Sequence, residues 1–522
     1  MSQAERLIAP LARHSFLTAL LLGGISACAF EPVGWWPLMP VAFAVLCELL
    51  CRAKSLRQAL AVGWAFGLGQ FMVGLNWIAT AFTYQAAMPA SLGWIAVVLL
   101  SLYLAVYPAL AAGVGWRLAG GRRIPLLLVL AGAWGVTEWL RAGMFTGFAW
   151  NPVAATLVST PLITIGALVG TYGLSMLVIL LGGTIWLEVH RKYMAVVSIL
   201  AVTALMWLFP GTRIPDSTTV LKPVQIVQPN IGQQDKWKPG FSEVAARRLA
   251  TLSSTWGPDA GPRLLLWPEA AVTEPLEDAR SGEHQAFAEF ERTRAASLLR
   301  GEDRLITGGI ALNSSDGRQV DGAANSIFLI GQGGRVLGRY DKAHLVPYGE
   351  YLPMRPLLSK IGLSRLAPGD VDFSPGPGPR TMDLGAHWGR VGLQLCYEII
   401  FSGQVVDQSD RPDFIFNPSN DAWFGSWGPP QHLAQARLRA AEEAIPVVRA
   451  TPTGISAIVD ARGELVESLP WRTAGVIRGT LPPPSELTPP FAKAGNAIPL
   501  VIGFLLMIAG IALSRRERYR RT

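Results

Sequence analysis

The stretch GLQLCYEII (residues 392–400) places a cysteine at the end of an apolar, strand-like run and follows it directly with Tyr397 and Glu398. The other three cysteines of the chain all lie within its first 51 residues. A strand that ends in polar side chains is typical of α/β sheets, where ligands collect at strand ends. Cys396 is therefore either a buried structural cysteine or a nucleophile, and its neighbours must decide between the two.

The segment around this stretch, residues 215–490, has the pattern of a water-soluble α/β domain. Apolar runs such as RLLLWPEAAV (263–272) and DFIFNPSN (413–420) are typical of strands. FSEVAARRLATLSSTW (241–256) and QHLAQARLRAAEEA (431–444) have the spacing of amphipathic helices. Strands buried on both faces that alternate with helices predict a layered α/β domain.

Apolar runs long enough to cross a bilayer flank this segment. They lie at residues 15–31, 36–51, 57–80, 91–115, 124–141, 162–187, 194–210 and 493–514. The 522-residue chain is 50% hydrophobic and only 16% charged, as expected when part of it lies in lipid. We predict a membrane bundle of about eight transmembrane α-helices. Residues 1–214 hold about seven of them, and residues 491–522 hold the last helix with a basic tail.

Lysine and arginine are concentrated in every second connection between these runs. The basic connections carry Arg6 and Arg13, then Arg52, Lys54 and Arg57, then Arg117, Arg122 and Arg123, then Arg191 and Lys192, and finally Arg515, Arg516, Arg518, Arg520 and Arg521. This distribution predicts that both termini are cytoplasmic and that the soluble domain lies on the opposite side of the membrane. The net charge of +8 then reflects topology, so no nucleic-acid partner is expected.

Three side chains near strand ends in the soluble segment could support acyl transfer through a thiol, which needs a nucleophile, a base and a positive group. Glu269 is either a helix cap or a base, and Lys342 either a surface ion-pair partner or an oxyanion donor. Lys342 near the thiol of Cys396 is expected to favour the thiolate, and Glu269 to accept its proton. The sequence contains no P-loop, HExxH or CxxC pattern, so neither a metal nor a nucleotide cofactor is expected.

Four ordered motifs carry a more specific signal than any single residue. They are WPE (267–269), YDKAHLVPYGE (340–350), CYE (396–398) and NPSNDAWFG (417–425). Together they resemble the nitrilase, or carbon–nitrogen hydrolase, superfamily, whose members use a Glu–Lys–Cys triad. Placed after seven predicted spans and before an eighth, the domain resembles the bacterial apolipoprotein N-acyltransferase family over essentially the whole chain.

The resemblance implies an αββα sandwich and a role for each matching residue. Glu269 corresponds to the general base, Lys342 to the oxyanion-stabilising cation and Cys396 to the acylated nucleophile.

Four further residues match supporting positions in the family. Glu350, Tyr397 and Glu398 correspond to supporting positions of the active site, and Trp237 to an aromatic residue near the substrate entrance. Tyr397 and Trp237 could instead serve only in packing.

The resemblance also implies a reaction, its partners and a location. An acyl chain would pass from a phospholipid such as phosphatidylethanolamine, through a cysteine thioester, to the α-amine of the S-diacylglyceryl cysteine of an apolipoprotein. The enzyme would sit in the bacterial inner membrane with its catalytic domain in the periplasm. Two alternatives remain open: a membrane-tethered amidase that uses water as acceptor, and a catalytically dead lipid-binding or transport scaffold.

Two other features have open interpretations. YLPMRPLLSKIGL (351–363) is unusually apolar for an aqueous domain, and is either an arm that dips toward the bilayer or a helix packed on the domain. Glu138 and Arg141 lie at the outer end of the fifth apolar run. They either meet a lipid headgroup or form an intrahelical pair at i,i+3.

Overall fold

The N-terminal part of the chain is helical in the computed structural model, which describes residues 13–84, 89–209, 211–215, 222–236, 238–257, 261–358, 360 and 372–519. Its helices are α1 Ser15–Ser26, α2 Leu38–Arg52, α3 Leu56–Gly74, α4 Ile78–Ala81, α5 Leu92–Leu104, α6 Val106–Ala119, α7 Arg123–Gly143, α8 Gly166–Val189 and α9 Tyr193–Leu208. Glycines allow close helix packing, as at Gly132 of α7, where a Cβ would lie 2.3 Å from the main-chain oxygen of Gly503.

Each of the eight predicted apolar runs contains a helix, but not all of these helices are long enough to span a bilayer by themselves. Among the described residues, the helices of sufficient length and hydropathy are Leu92–Ala119, Arg123–Gly143, Pro161–Val189 and Ala497–Arg516. The pair Leu56–Gly74 and Ile78–Tyr84, bent by 46°, would add a fifth span, while Ser15–Ala29 and Tyr193–Leu208 are apolar but shorter. The described residues therefore contain four or five membrane-spanning candidates by this measure, and the count of about eight stays a prediction.

The predicted layered α/β arrangement of the soluble part is confirmed. Its strands are β1 Pro223–Gln228, β2 Leu264–Leu266, β3 Pro275–Asp278, β4 Arg304–Asn313, β5 Gly322–Ile330, β6 Val336–Asp341, β7 Thr381–Asp383, β8 Arg390–Leu393, β9 Phe414–Pro418, β10 Val447–Ala450, β11 Ala457–Val459, β12 Leu465–Ser468 and β13 Gly475–Thr480. One mixed sheet has the order β13-β1-β2-β4-β5-β6, with β3 paired to β4, and the other has the order β12-β11-β10-β9-β8-β7.

The two sheets pack face to face and helices cover their outer faces. The helices of this part are α10 Gln233–Lys236, α11 Phe241–Ser253, α12 Glu283–Ala296, α13 Arg355–Leu358, α14 Gly428–Glu443 and α15 Pro490–Ala494, and α16 Ala497–Tyr519 follows. Apolar side chains of both sheets, including Ile226, Leu266, Val391 and Phe416, share one core. Helices α11 and α12 cover the first sheet, and α14 covers the second. This gives the four layers that the family resemblance implies.

Helix α14 also joins the domain to the membrane bundle. Thr171 of α8 donates its hydroxyl to Glu442 Oε2 at 2.8 Å. Both partners are buried, so the hydrogen bond lies inside a continuous interface.

Glu138 and Arg141 brace the connection between the bundle and this interface. Both are buried, and Nη2 of Arg141 lies 3.8 Å from Oε1 of Glu138. Glu138 accepts a hydrogen bond from the amide of Val153 at 2.9 Å, and Arg141 donates to the main-chain oxygen of Trp150 at 2.8 Å. The pair is thus intrahelical, and it also holds the segment around 150–153 that follows α7.

Candidate active site

Glu269, Lys342 and Cys396 each follow the end of a strand. Glu269 lies just beyond β2, Lys342 directly follows β6, and Cys396 lies just beyond β8 and begins a 3₁₀ turn, Cys396–Ile400. The first two strands belong to one sheet and β8 to the other, so packing of the two sheets brings the residues together. Gly308 of β4 is required for this approach, because a Cβ there would lie 2.6 Å from Cα of Glu269.

A buried polar chain connects the lysine to the first carboxylate. Nζ of Lys342 lies 2.9 Å from Oε1 of Glu350, whose Oε2 accepts a hydrogen bond from the amide of Val346. Nδ2 of Asn325 donates to Oε1 of Glu350 at 2.9 Å and to Oε1 of Glu269 at 2.8 Å. Oε2 of Glu269 is buried and has no hydrogen-bond partner among the described residues. That oxygen is available to accept a proton.

Glu398 holds two strand-end loops together. Its carboxylate accepts hydrogen bonds from the hydroxyl of Tyr340 at 2.9 Å and from the amides of Ala343 at 2.7 Å and His344 at 3.0 Å. The amide of Leu395 donates to its other oxygen at 2.7 Å. The loop that carries Lys342 and the loop that carries Cys396 therefore share one buried anion, which fixes their spacing.

The nucleophile candidate has an unusual backbone and a buried thiol. The backbone of Cys396 has φ +54°, a left-handed conformation that residues other than glycine rarely adopt. The residue is buried. Burial raises the pKa of its thiol well above the ordinary value, and the charge of Glu269 adds to this, whereas Lys342 opposes it. The charge of Lys342 therefore acts in the expected direction and favours the thiolate, but burial and the charge of Glu269 outweigh it.

Lys342 keeps its positive charge in this environment. Burial alone would lower its pKa, but the carboxylates of Glu350 and Glu269 raise the pKa overall. A buried ammonium in the same site as the Cys396 thiol can stabilise negative charge that develops on a substrate oxygen.

Two supporting residues, Tyr397 and Trp237, and the apolar segment 351–363 remain to be located. Tyr397 is buried where the domain meets the bundle, its hydroxyl 3.4 Å from the main-chain oxygen of Gly147 and its ring edge-on to Phe401. Trp237 lies outside the described residues. Of the apolar segment 351–363, only 351–358 and 360 are described, with Met354 and Leu357 exposed.

Two residues that the sequence analysis did not single out belong to the site. Asn325 bridges the two carboxylates, and Lys236 is buried with Nζ 3.5 Å from the main-chain oxygen of Glu269. Burial lowers the pKa of Lys236 to about 8, although the charges of Glu269 and Cys396 oppose the shift. The sequence does contain signals for both residues: Asn325 begins the mainly apolar run NSIFLIG (325–331), and Lys236 lies beside Trp237.

The charged groups of the site are arranged in ion pairs and hydrogen bonds with one another. Within the described part of the chain, no group of three or more His, Cys, Asp or Glu side chains is placed to share a metal ion. What the arrangement offers is thiol chemistry: a nucleophile, a carboxylate with one open oxygen, and an ammonium.

Comparison with known proteins identifies relatives of both parts. The family profile for the apolipoprotein N-acyltransferase N-terminal domain matches residues 22–184, and that for carbon–nitrogen hydrolase matches residues 226–485. The apolipoprotein N-acyltransferase of Rhodopseudomonas palustris is 34% identical over 519 residues, covering 94% of this chain and 93% of the relative. That of Bradyrhizobium diazoefficiens is 33% identical over 528 residues, covering 97% and 95%.

Solved structures give a more distant likeness. An amidase from Nesterenkonia sp. has 16% identity and a TM-score of 0.33, covering 52% of this chain and 92% of its own. The full-length relatives establish the assignment, because they match the helical part and the α/β part in one continuous alignment. The chain belongs to the apolipoprotein N-acyltransferase family.

Proposed function

We propose that this protein transfers an acyl chain from a membrane phospholipid, through a thioester on Cys396, to the α-amine of the S-diacylglyceryl cysteine at the N-terminus of an apolipoprotein. The observation that carries the proposal is the open Oε2 of Glu269 in a buried site that also holds Lys342 and Cys396. The relatives are named apolipoprotein N-acyltransferases, which agrees with transfer of an acyl group to an amine of such a protein.

The first half-reaction forms the thioester. Glu269 takes the proton of the Cys396 thiol as sulfur attacks the ester carbonyl of the donor. The new oxyanion is stabilised by the Lys342 ammonium and by a main-chain amide beside Cys396. The C–O bond then breaks, the alkoxide of the lysophospholipid takes the proton from Glu269, and the acyl chain remains on sulfur.

The second half-reaction forms the amide. The neutral α-amine of the acceptor attacks the thioester carbonyl and loses a proton to Glu269. The C–S bond breaks, and sulfur recovers a proton from Glu269, which returns the site to its resting state. The sequence is ping-pong and needs no ATP, since an amide lies below both the ester and the thioester in free energy.

The supporting residues are assigned roles in this scheme. Glu350 keeps Lys342 charged and in place, and Glu398 fixes the loops that carry Lys342 and Cys396. Tyr397 contacts the membrane bundle and so holds the adjacent Cys396 in position against it. Trp237 is assigned to the substrate entrance by its match to the family motif.

The membrane part supplies both substrates in the plane of the bilayer. We assign the bundle to residues 1–214, the catalytic domain to 215–490 and the last span to 491–522, with about eight spans and both termini in the cytoplasm. The support is the alternation of basic connections, which leaves the domain on the periplasmic face of the inner membrane.

We assign the described residues 351–358 of the apolar segment as an arm that reaches the bilayer, while residues 361–363 lie outside the described part of the chain. Met354 is 65% exposed and Leu357 is 60% exposed, and Tyr348 just before them is also exposed. Exposed apolar side chains in and directly after the Lys342–Glu350 motif suit contact with acyl chains.

The test is the intact mass of the purified protein after incubation with phosphatidylethanolamine, measured before and after neutral hydroxylamine, with Cys396→Ala alongside. We expect an acyl-sized gain that hydroxylamine removes and that Cys396→Ala lacks. No gain in folded protein would overturn the thioester mechanism and favour the scaffold alternative.

The acceptor is tested on the acylated protein. A synthetic lipopeptide with an N-terminal diacylglyceryl cysteine should remove the acyl group from Cys396 and emerge with an N-acyl amide. Release of free fatty acid at the same rate with and without the lipopeptide would instead identify a membrane-tethered amidase.

A further inference from the structure

The carbonyl of Cys396 is held by two buried side chains outside the triad. Its oxygen lies 3.2 Å from Nδ2 of Asn417 and 3.2 Å from Nε2 of His432. A carbonyl oxygen only accepts hydrogen bonds, so Nε2 of His432 carries a proton and donates it. Two donors on the carbonyl of the residue with φ +54° show that this strained peptide is fixed by its surroundings.

One guanidinium supports both donors. Nη2 of Arg449 lies 2.7 Å from each carboxylate oxygen of Asp421. It also lies 2.9 Å from Nδ1 of His432, which accepts this hydrogen bond when Nε2 carries the ring proton, and Oδ1 of Asp421 lies 2.8 Å from the same nitrogen. Nη1 of Arg449 donates to Oδ1 of Asn417. Arg449, Asp421, Asn417 and His432 are buried, so the network forms a closed ring that begins and ends at the carbonyl of Cys396.

The membrane bundle contributes the outer contact of this ring. The indole of Trp150 lies 5.1 Å from the His432 ring, centroid to centroid. Nε1 of Trp150 donates to Oε1 of Gln431 at 2.8 Å, and Nε2 of Gln431 donates to the main-chain oxygen of Gly74, at the end of α3, at 3.2 Å. Residues 431 and 432 of α14 thus face the bundle and the nucleophile at once.

The geometry of the peptide bond connects these contacts to catalysis. A trans peptide is planar, with its C=O and N–H pointing in opposite directions. Fixing the Cys396 carbonyl therefore fixes the direction of the Tyr397 N–H, which points away from His432 and Asn417. The proposed mechanism needs a main-chain amide beside Cys396 aimed at the oxyanion.

We propose that His432 and Asn417 are positioning residues that aim the Tyr397 N–H at the oxyanion, and that Trp150 makes this alignment depend on the docked membrane bundle. The inference rests on the proposed function, since it concerns the tetrahedral step of acyl transfer. It predicts a defect in acylation without a matching defect in the nucleophilicity of the thiol.

The experiment compares two reactions of Cys396 in the full-length protein: acylation by phosphatidylethanolamine and alkylation by iodoacetamide, both followed by intact mass. Alkylation forms no oxyanion. In His432→Phe we expect the acylation rate at saturating donor to fall about 10²- to 10³-fold, the usual effect of losing an oxyanion donor. Alkylation should stay close to the parent rate, and His432→Gln, which keeps an N–H donor, should recover part of the acylation.

Two further variants keep the test decisive. Trp150→Phe keeps an aromatic ring packed against His432 but removes the N–H that donates to Gln431. Because the packing is kept, this variant should fold even if His432→Phe does not. We expect its acylation rate to be about tenfold lower than that of the parent. His284→Phe, at an exposed histidine of α12, is the matched control and should match the parent in both reactions.

Three outcomes would overturn the inference. Unchanged acylation in the folded variants removes the positioning role, and a parallel loss of acylation and alkylation indicates general distortion of the site. If the parent itself is alkylated but never acylated, the proposed function fails and this inference fails with it.

Discussion

Nδ2 of Asn325 lies 2.8 Å from Oε1 of Glu269 and 2.9 Å from Oε1 of Glu350, so a single amide group separates the two carboxylates of the site. Two carboxylates close together in a buried site make each other's charged form less stable, and a hydrogen-bond donor between them offsets this repulsion. Asn325→Leu keeps the size of the side chain and removes that donor. We expect acylation of Cys396 to fall about 10- to 100-fold, the effect of leaving a buried acceptor unsatisfied.

The measurement for Asn325 is the rate of hydroxylamine-sensitive acylation. Asn313→Leu, at the far end of β4 and half-buried, is the control and should retain the parent rate. An Asn325→Leu variant as fast as the parent would mean that Glu269 keeps its position and charge without the bridge.

Glu398 should be required for stability as well as for activity. Glu398→Gln retains the shape, but the amide has one acceptor oxygen where the carboxylate has two, and its NH₂ group faces a donor. We expect a lower unfolding temperature, and acylation reduced about 10²-fold because the Lys342 and Cys396 loops separate. Thermal unfolding in detergent and the acylation rate test this, with Glu289→Gln at an exposed position of α12 as control. Normal unfolding with lost activity would point to contact with substrate instead.

The strand ends of the site could be found from the sequence, but their convergence could not. WPE and CYE each follow an apolar run and YDK follows the strand-like RVLGR (335–339), and the structure has β2, β8 and β6 at those places. Glu269 and Lys342 come from one sheet and Cys396 from the other. Hydrophobic patterning shows which face of a strand is buried, but it does not show which two sheets pack together. Here only the family resemblance supplied that step.

Polar residues inside apolar strands were harder to interpret. Asn325 occupies a buried position in the mainly apolar strand β5, and Asn417 occupies a buried position in the apolar strand β9. One amide in such a run does not change its strand pattern, and its purpose appears only when its partners are known from the fold.

The bundle shows a similar limit. Apolar runs located a helix at each expected place, yet α3 ends at Gly74 and a bent second helix follows. Hydropathy averages over such breaks and cannot locate them.

Gly308 should be irreplaceable because the Glu269 loop lies directly against it. In Gly308→Ala the new Cβ would meet Cα of Glu269 and the amide nitrogen of Ala270, each at 2.6 Å, and backbone atoms cannot move aside locally. Displacing the base by about 1 Å is expected to slow acylation by roughly 10²-fold. Gly143→Ala, where nothing lies within 4 Å of the added Cβ, should be neutral in the same assay. Equal rates for the two variants would contradict a fixed Glu269 loop.

Replacing Glu269 should change the alkylation and the acylation of Cys396 in opposite directions. Burial and then the charge of Glu269 raise the pKa of Cys396, so Glu269→Gln should lower that pKa. The variant should therefore be alkylated faster than the parent near pH 8, while its acylation by phospholipid is lost because no base remains to move the proton. Alkylation against pH, by intact mass, measures the first effect. Slower alkylation at every pH would show that Glu269 assists deprotonation even without an acyl donor.

Lys236 should make stability depend on pH in a defined window. Burial lowers its pKa in the folded protein to about 8. In the unfolded chain the pKa is ~10.4. Below pH 8 the folded state holds a buried ammonium, and its desolvation lowers the free energy of unfolding by the full amount. This loss declines as the pH rises toward the pKa of the unfolded chain, and above that pKa the lysine is neutral in both states. The destabilisation by Lys236 is therefore present at pH 7 and largely relieved near pH 10.

Replacing this lysine should remove the pH dependence. We expect Lys236→Met to raise the unfolding temperature above that of the parent, and to raise it more at pH 7 than at pH 10. The reason is that only the parent has a lysine at this position whose deprotonation adds stability across that interval. Thermal unfolding of both proteins in detergent at the two pH values gives the comparison. Lys238→Met is the matched control, since that side chain is 63% exposed and should show no such change. A difference that is the same at both pH values would mean that Lys236 does not titrate between them.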